Sequence, residues 1–103
     1  MATPLQLSTD RRDDGRIVLT AVGELDLSNV GVFTSALRQA AAGTDGSPLH
    51  IDLSAVEYLD SGAINVLFDH ADVIDLVVNP MLLPVLTVSG LTDVVTVKPA
   101  PGS

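Results

Sequence analysis

The period of the hydrophobic positions changes along the chain, and the changes divide it into strands and helices. Arg16–Val22 is a nearly unbroken apolar and β-branched run, which predicts a strand covered on both faces and closed by Gly23. In Asp26–Ala42, by contrast, apolar side chains recur every three or four residues, as in an amphipathic helix. Asp26 or Ser28 supplies a side-chain oxygen suited to cap the first turn of that helix.

The remainder of the chain continues this alternation. The other predicted elements are strands at Leu5–Leu7, Leu49–Leu53, Leu76–Val78 and Val94–Lys98, a second helix with Ile64, Leu67, Phe68 and Ala71 on one face, and a short helix at Met81–Val88. Asp10–Gly15 suits a hairpin loop, and Ser54–Asp60 is predicted to be a loop. The order β, β, α, β, α, β, short α, β predicts an α/β sandwich, a mostly parallel β-sheet of about five strands packed against helices. We expect one domain over residues 1–103, with a core at about 4–98 and a flexible tail at 99–103.

Composition narrows the classes of function. The chain has 103 residues, of which 47% are hydrophobic, so it is long enough for one core and too apolar for a disordered chain. Its net charge is −8, and no Lys or Arg lies between Arg38 and Lys98, which disfavours nucleic acid as a partner. No apolar stretch is long enough to span a bilayer, and no secretion signal is recognisable. We therefore expect a cytoplasmic protein without direct membrane insertion.

Side chains that support catalysis do not form a recognisable site. The absence of cysteine excludes thiolate nucleophiles, disulfides and zinc knuckles. His50 and His70 lack the spacing of metal ligands, and the segment around Ser61 is not the Gly-x-Ser-x-Gly turn of serine hydrolases. The chain also has no Gly-rich phosphate loop. We expect neither enzymatic activity nor a metal or cofactor.

Two acidic segments are not explained by folding alone. Gly23–Asp26 connects a predicted strand to a predicted helix, and Asp52–Gly62 leads from another strand to the second helix. A purely structural role is open for both segments: Ser61 suits a helix N-cap, and the aspartates suit turns.

Together the two segments resemble a known family. The pattern Asp52-Leu-Ser-x-Val-x-Tyr-Leu-Asp60-Ser61, with Gly23-Glu-Leu-Asp26 upstream, is similar to the signature of the STAS domain of bacterial anti-sigma factor antagonists. Asn79-Pro80 and Val88-Ser-Gly-Leu91 extend the resemblance, which covers Ile17–Val97. The resemblance implies a STAS fold and a protein, not itself an enzyme, that binds an anti-sigma factor and so releases a sigma factor.

The resemblance also implies roles for individual residues. In the family, an anti-sigma factor that is also a serine kinase phosphorylates the serine after the second motif aspartate, which ends binding, and a phosphatase reverses the modification. Ser61 matches this phosphoacceptor, Asp60 flanks it, and Asp26 matches the acid of the first motif. The predicted partner-binding residues are Glu24, Asp26, Tyr58, Asp60, Ser61 and Gly62.

The chain departs from the family pattern in three places. Gly62-Ala63 replaces the usual Ser or Thr followed by Gly, and we expect a shortened second helix and no counterpart of the family's C-terminal helix after the last strand. The lost cover favours exposed apolar surface and self-association as a homodimer. An alternative hypothesis is a cytosolic STAS subunit or regulatory module of a membrane transporter. A nucleotide-binding STAS module is disfavoured, because no Lys or Arg lies near Ser61 in the sequence to offset a triphosphate.

Overall fold

The structure, a computed structural model, describes residues 4–44 and 46–101. Its strands are β1 (Gln6–Arg11), β2 (Ile17–Leu25), β3 (Leu49–Leu59), β4 (Ile74–Val78) and β5 (Thr96–Pro99), and its helices are α1 (Val30–Ala42), α2 (Ser61–Asp69) and α3 (Leu83–Ser89). Short 3-10 turns lie before β4, α3 and β5. The second helix is therefore short, with nine residues, as predicted.

The five strands form one sheet in the order β1-β2-β3-β4-β5, in which β1 is antiparallel to β2 and the other neighbours are parallel. Because the strands keep their chain order in space, right-handed crossovers place every connecting helix on the same face. The buried side chains of the three helices and of one face of the strands accordingly form a single hydrophobic cluster. The predicted α/β sandwich is confirmed.

The second face of the sheet is not part of this cluster, and here the prediction for β2 is wrong. Val18 is buried but lies outside the main cluster, and its partners on the neighbouring strands are Asp10 and His50. Val22 is 37% exposed on the same face. The apolar run of β2 reflects its position between two strands, whose side chains shield it, and not cover by helices on both faces.

The first hairpin is longer than the sequence suggests. Every residue of β1 pairs with β2, so the strand continues past the predicted end at Leu7 and includes Asp10. The chain then turns at 12–16, where Asp14 accepts a hydrogen bond from the Arg16 N–H at 3.0 Å. The polar side chains of β1 are typical of an exposed edge strand and resemble a loop in the sequence.

The third strand continues through the segment predicted to be a loop. β3 extends to Leu59 instead of ending at Leu53, and residues 54–59 pair only with β2 because β4 ends opposite Leu53. Asp52 accepts from both the N–H and the hydroxyl of Ser54, at 2.9 and 2.6 Å, beside an irregularity in the β2–β3 register. This local turn chemistry accommodates a bulge without ending the strand.

Both histidines have partners within the fold. His50 pairs with Asp75, its neighbour on β4, and the second oxygen of Asp75 accepts from Arg16 at 3.2 Å. This small network joins the start of β2 to the two central parallel strands on the face opposite the helices. His70 bonds through Nδ1 to the carbonyl of Val66 at 2.9 Å.

The C-terminal elements agree with the prediction in type and differ in extent. Pro84 lies in the first turn of α3, where proline is tolerated. Pro99, assigned to the flexible tail by the sequence, belongs to β5 and pairs with Val78, and the N–H of Ala100 donates to the Val78 carbonyl at 2.8 Å. Residues 102–103 of the predicted tail lie outside the described residues. None of the helices within 4–44 and 46–101 has the length and hydropathy needed to cross a membrane.

Candidate functional site

The two acidic segments of the sequence meet where β2 and β3 end. The last residues of these strands, Leu25 and Leu59, are partners in the sheet, and the N–H of Asp60 donates to the Leu25 carbonyl at 3.2 Å. Because parallel strands end at the same edge, Asp26 and Asp60 both leave the sheet there. Segments that are far apart in the chain therefore form one surface.

Gly23, the first residue of the first acidic segment, has an unusual backbone conformation beside an irregular part of the β2–β3 pairing. Its φ is +114°, a conformation that side-chain-bearing residues rarely adopt, and it is buried. The β2–β3 register shifts by one residue between Gly23 and Glu24, and again between Thr20 and Val22, with the extra residue in β3 each time. The bulged strand is therefore β3, and Gly23 lies on β2 beside the second bulge, two residues before Leu25 ends the strand.

Ser61 is the first residue of α2 and is exposed. The cap of this helix is Asp60, whose backbone is extended (φ −91°, ψ 177°) and whose carboxylate accepts from the Ala63 N–H at 3.0 Å. The purely structural alternative, in which Ser61 is the N-cap, is therefore wrong by one residue. Because Asp60 performs the capping, the Ser61 hydroxyl is not needed to begin the helix and remains open to solvent.

Asp26 organises the turn that connects β2 to α1. Its carboxylate accepts from the Ser28 N–H at 2.9 Å and from the Ser28 hydroxyl, and its own N–H donates to the Asn29 side chain at 2.9 Å. The Asn29 amide donates back to the Glu24 carbonyl at 2.9 Å. α1 then begins at Val30 with Asn29 in the cap position, so the predicted start at Asp26 is four residues early.

The hydrogen bonds from Ser28 lower the pKa of Asp26 below its ordinary value of 3.8, the side-chain bond contributing most. A lowered pKa in the folded state means that the ionised carboxylate stabilises the fold. This contribution is complete above the ordinary pKa and is lost as the pH falls through the lowered one.

We expect Asp26→Asn to change the melting temperature little at pH 7, because the amide oxygen still accepts from the Ser28 N–H. Asp26→Ala removes that acceptor and should lower the melting temperature further. Thermal melts between pH 7 and pH 3 should show the advantage of the wild type over Asp26→Asn shrinking as the pH drops below about 4. A difference in melting temperature that is constant over this pH range would contradict a stabilising role for the ionised Asp26 carboxylate.

Leu27 and Gly62 bring the two segments into contact. A Cβ atom at Gly62 would lie 3.2 Å from Leu27 Cδ2 and 3.3 Å from Asp60 Oδ1, so the absence of a side chain lets Leu27 lie close to the start of α2. Leu27 is nevertheless 79% exposed. Sequence reasoning did not single out Leu27, although a lone leucine between polar turn residues is a detectable signal.

Two of the predicted binding residues point away from Ser61. Glu24 and Tyr58 are partners in the sheet and each precedes a residue, Leu25 or Leu59, that is buried beneath the helices. Since successive side chains of a strand point to opposite faces, Glu24 and Tyr58 lie on the open face of the sheet. Tyr58 is 51% exposed there. The predicted set is thus divided, with Asp26, Asp60, Ser61 and Gly62 gathered on the helix side of the edge.

The electrostatic character of this edge is acidic. The strand ends and the turns that follow them carry Glu24, Asp26, Glu57 and Asp60. Arg16 precedes β2, whose nine residues place it about 30 Å from Asp26. Arg38 lies eight positions into α1, about 12 Å back along the helix from Val30. Arg16 and Arg38 therefore lie away from this edge.

The fold is shared with solved anti-sigma factor antagonists. One from Mycobacterium paratuberculosis superposes with a TM-score of 0.85 at 23% sequence identity, over 97% of this chain and 92% of the other. SpoIIAA in its unphosphorylated form gives a TM-score of 0.72 at 15% identity, over 93% and 89%. A protein of another family from Shewanella loihica, with a SpoIIAA-like fold, gives 0.64 at 15% identity, over 100% and 93%. These similarities define the class of fold, which serves more than one family.

Sequence comparison then places the chain within this class. The family model described as Mlab, STAS domain matches residues 8–96. The chain therefore belongs to this family of STAS domains, and the resemblance seen in the sequence motifs is confirmed. Among curated proteins, none matches the chain significantly by sequence.

Proposed function

We propose that this protein is an anti-sigma factor antagonist that is switched by phosphorylation. In the unphosphorylated form it binds an anti-sigma factor through the edge formed by Asp26, Asp60, Ser61 and Gly62, and the bound anti-sigma factor releases its sigma factor. The anti-sigma factor is also a serine kinase, which modifies Ser61. A phosphatase restores the binding form.

The observation that carries this proposal is the position of Ser61. It is exposed at the first position of α2, while Asp60 performs the capping. A hydroxyl that the fold does not use is available both to a docking protein and to a kinase active site. The first turn of α2 also presents free backbone N–H groups and the positive end of the helix dipole, so the fold tolerates a phosphate at this position.

Phosphorylation changes the charge of the surface without needing a change of fold. The γ-phosphoryl group of ATP passes to Ser61 Oγ, the bond from the γ-phosphorus to the bridging oxygen breaks, the hydroxyl proton passes to a base of the kinase, and ADP leaves. The product carries about −1.5 to −2 additional charge beside the Asp60 and Asp26 carboxylates. A partner surface that fits a neutral hydroxyl then meets added bulk and unpaired charge, which opposes binding.

We expect incubation with a cognate anti-sigma kinase and ATP to phosphorylate Ser61 alone. Mass spectrometry of the intact protein and of its peptides measures the number and position of the phosphates. Ser61→Ala should remain unmodified, and Ser89→Ala, which alters a serine near the end of α3, should be modified like the wild type.

Two results would contradict the proposal. One is a phosphate that persists in Ser61→Ala, which would place the modification elsewhere. The other is stable co-purification with a transporter ATPase or permease that is indifferent to ATP and to Ser61, which would support the alternative of a transporter module.

A further inference from the structure

An apolar side chain stands exposed beside the proposed switch. Leu27 is 79% exposed, although the turn that carries it is held by hydrogen bonds from the Ser28 N–H to the Asp26 carboxylate and from the Asn29 amide to the Glu24 carbonyl. A rigid turn fixes the position of its side chains before a partner arrives, which reduces the entropy lost on binding. An exposed apolar side chain on a hydrogen-bonded turn is well suited to contact a partner, and Leu27 meets both conditions.

The contact with Gly62 fixes where Leu27 lies. Its Cδ2 atom is close enough to Gly62 that an added Cβ would approach it to 3.2 Å. Gly62 follows Ser61 directly, so the leucine lies against the first turn of the helix that begins with the proposed phosphoacceptor. A partner that docks over the Ser61 hydroxyl therefore meets Leu27 at Gly62, one residue further along the same turn.

We infer that Leu27 is the apolar anchor of this interface and occupies an apolar pocket of the anti-sigma factor whose rim is cationic. This inference rests on the proposed function and adds the chemistry of the partner surface. Asp26 precedes Leu27 in the chain, and Asp60 lies beside Gly62, where its Oδ1 would be 3.3 Å from an added Cβ. An apolar centre bordered by carboxylates is complementary to a pocket bordered by Lys or Arg.

A phosphate on Ser61 would also oppose the binding of Leu27 in the partner's pocket. A phosphate on Ser61 would place three strongly hydrated oxygens next to the residue against which Leu27 packs. Desolvation of the leucine in the partner's pocket would then require desolvation of the phosphate as well, which is unfavourable. Phosphorylation of Ser61 and burial of Leu27 therefore affect the same part of the interface with the anti-sigma factor.

We expect Leu27→Ala to weaken binding to the anti-sigma factor at least tenfold while Leu27→Met stays within about threefold of the wild type, as truncation of a buried anchor removes more than a change of its shape. Calorimetry without ATP measures both. Val88→Ala is the matched control, because Val88 is 88% exposed near the end of α3. Val88 also lies away from Ser61. Gly90, two residues after Val88, adjoins Phe68 in the last turn of α2, and Phe68 is about 10 Å along that helix from Ser61.

The outcomes separate the inference from the proposed function. Leu27→Ala that binds like the wild type, or Val88→Ala that loses as much, overturns the anchor and leaves the function standing. Affinity that is indifferent to salt between 50 and 500 mM overturns the cationic rim. A wild-type chain that binds no anti-sigma factor overturns the proposed function and the anchor with it.

Discussion

Ser61→Asp is expected to bind the anti-sigma factor at least tenfold more weakly than the wild-type chain. The substitution replaces a neutral, exposed hydroxyl by a carboxylate next to Asp60, and it places a third acid at an edge that already holds Asp26. Tenfold corresponds to about 1.4 kcal/mol, a modest cost for desolvating one more carboxylate in an interface whose proposed cations already face Asp26 and Asp60. The aspartate carries less charge than phosphoserine, so the true modification should weaken binding further. Calorimetric titration with the purified anti-sigma factor measures the difference.

Ser61→Ala is the control for this result. It removes the phosphoacceptor without adding charge, and we expect its affinity to lie within about threefold of the wild type. Both variants should melt near the wild-type temperature, because Asp60 still caps α2 and an acid in the first turn is favourable. Equal affinities of Ser61→Ala and Ser61→Asp would rule out a charge switch at this position.

Gly23→Ala is expected to destabilise the fold by about 1–3 kcal/mol. The glycine is buried at φ +114° beside a shift in the β2–β3 register, and a Cβ atom makes this conformation strained. In a domain of this size, each kcal/mol lowers the melting temperature by about 4–8 °C. Because the strained position lies three residues before Asp26, the variant should also bind the anti-sigma factor less well at temperatures at which it is folded.

Gly31→Ala distinguishes this backbone effect from a general intolerance of alanine. Gly31 lies in α1, and nothing lies within 4 Å of the position of its Cβ. Alanine is favoured over glycine inside a helix, so this variant should be more stable by about 0.5–1 kcal/mol. Denaturant titrations of the two variants should therefore shift in opposite directions. A Gly23→Ala variant that unfolds at the same denaturant concentration as the wild type would contradict the prediction that the positive φ of Gly23 requires glycine.

The elements that the sequence predicted best are those whose hydrophobic pattern extends over many residues. α1 ends at Ala42 as predicted, because a stripe of apolar residues at helical spacing continues to that residue. β2 was recognised from its β-branched content, and the alternation of strands and helices was enough to predict a parallel sheet. Errors were concentrated at ends, where β1 and β3 continue through polar residues that pair as strands.

The candidate site was predicted in part. The motif residues Asp26, Asp60 and Ser61 are identified from the chain, but whether Asp60 or Ser61 caps α2 depends on backbone angles that the sequence does not reveal. Glu24 and Tyr58 are grouped with Ser61 because they lie in the two motifs of the resemblance, and the register of β2 against β3 places them on the other face. Leu27 was missed because its exposure follows from the turn.

The sequence by itself determined the class of fold, the acidic character of the chain and the two motifs of the family, because periodicity, charge and motif are local properties of the residues. The tertiary structure alone decided that the ends of β2 and β3 coincide and that Leu27 lies against Gly62. These features depend on strand register, bulges and packing between segments more than thirty residues apart in the chain, which no local pattern encodes.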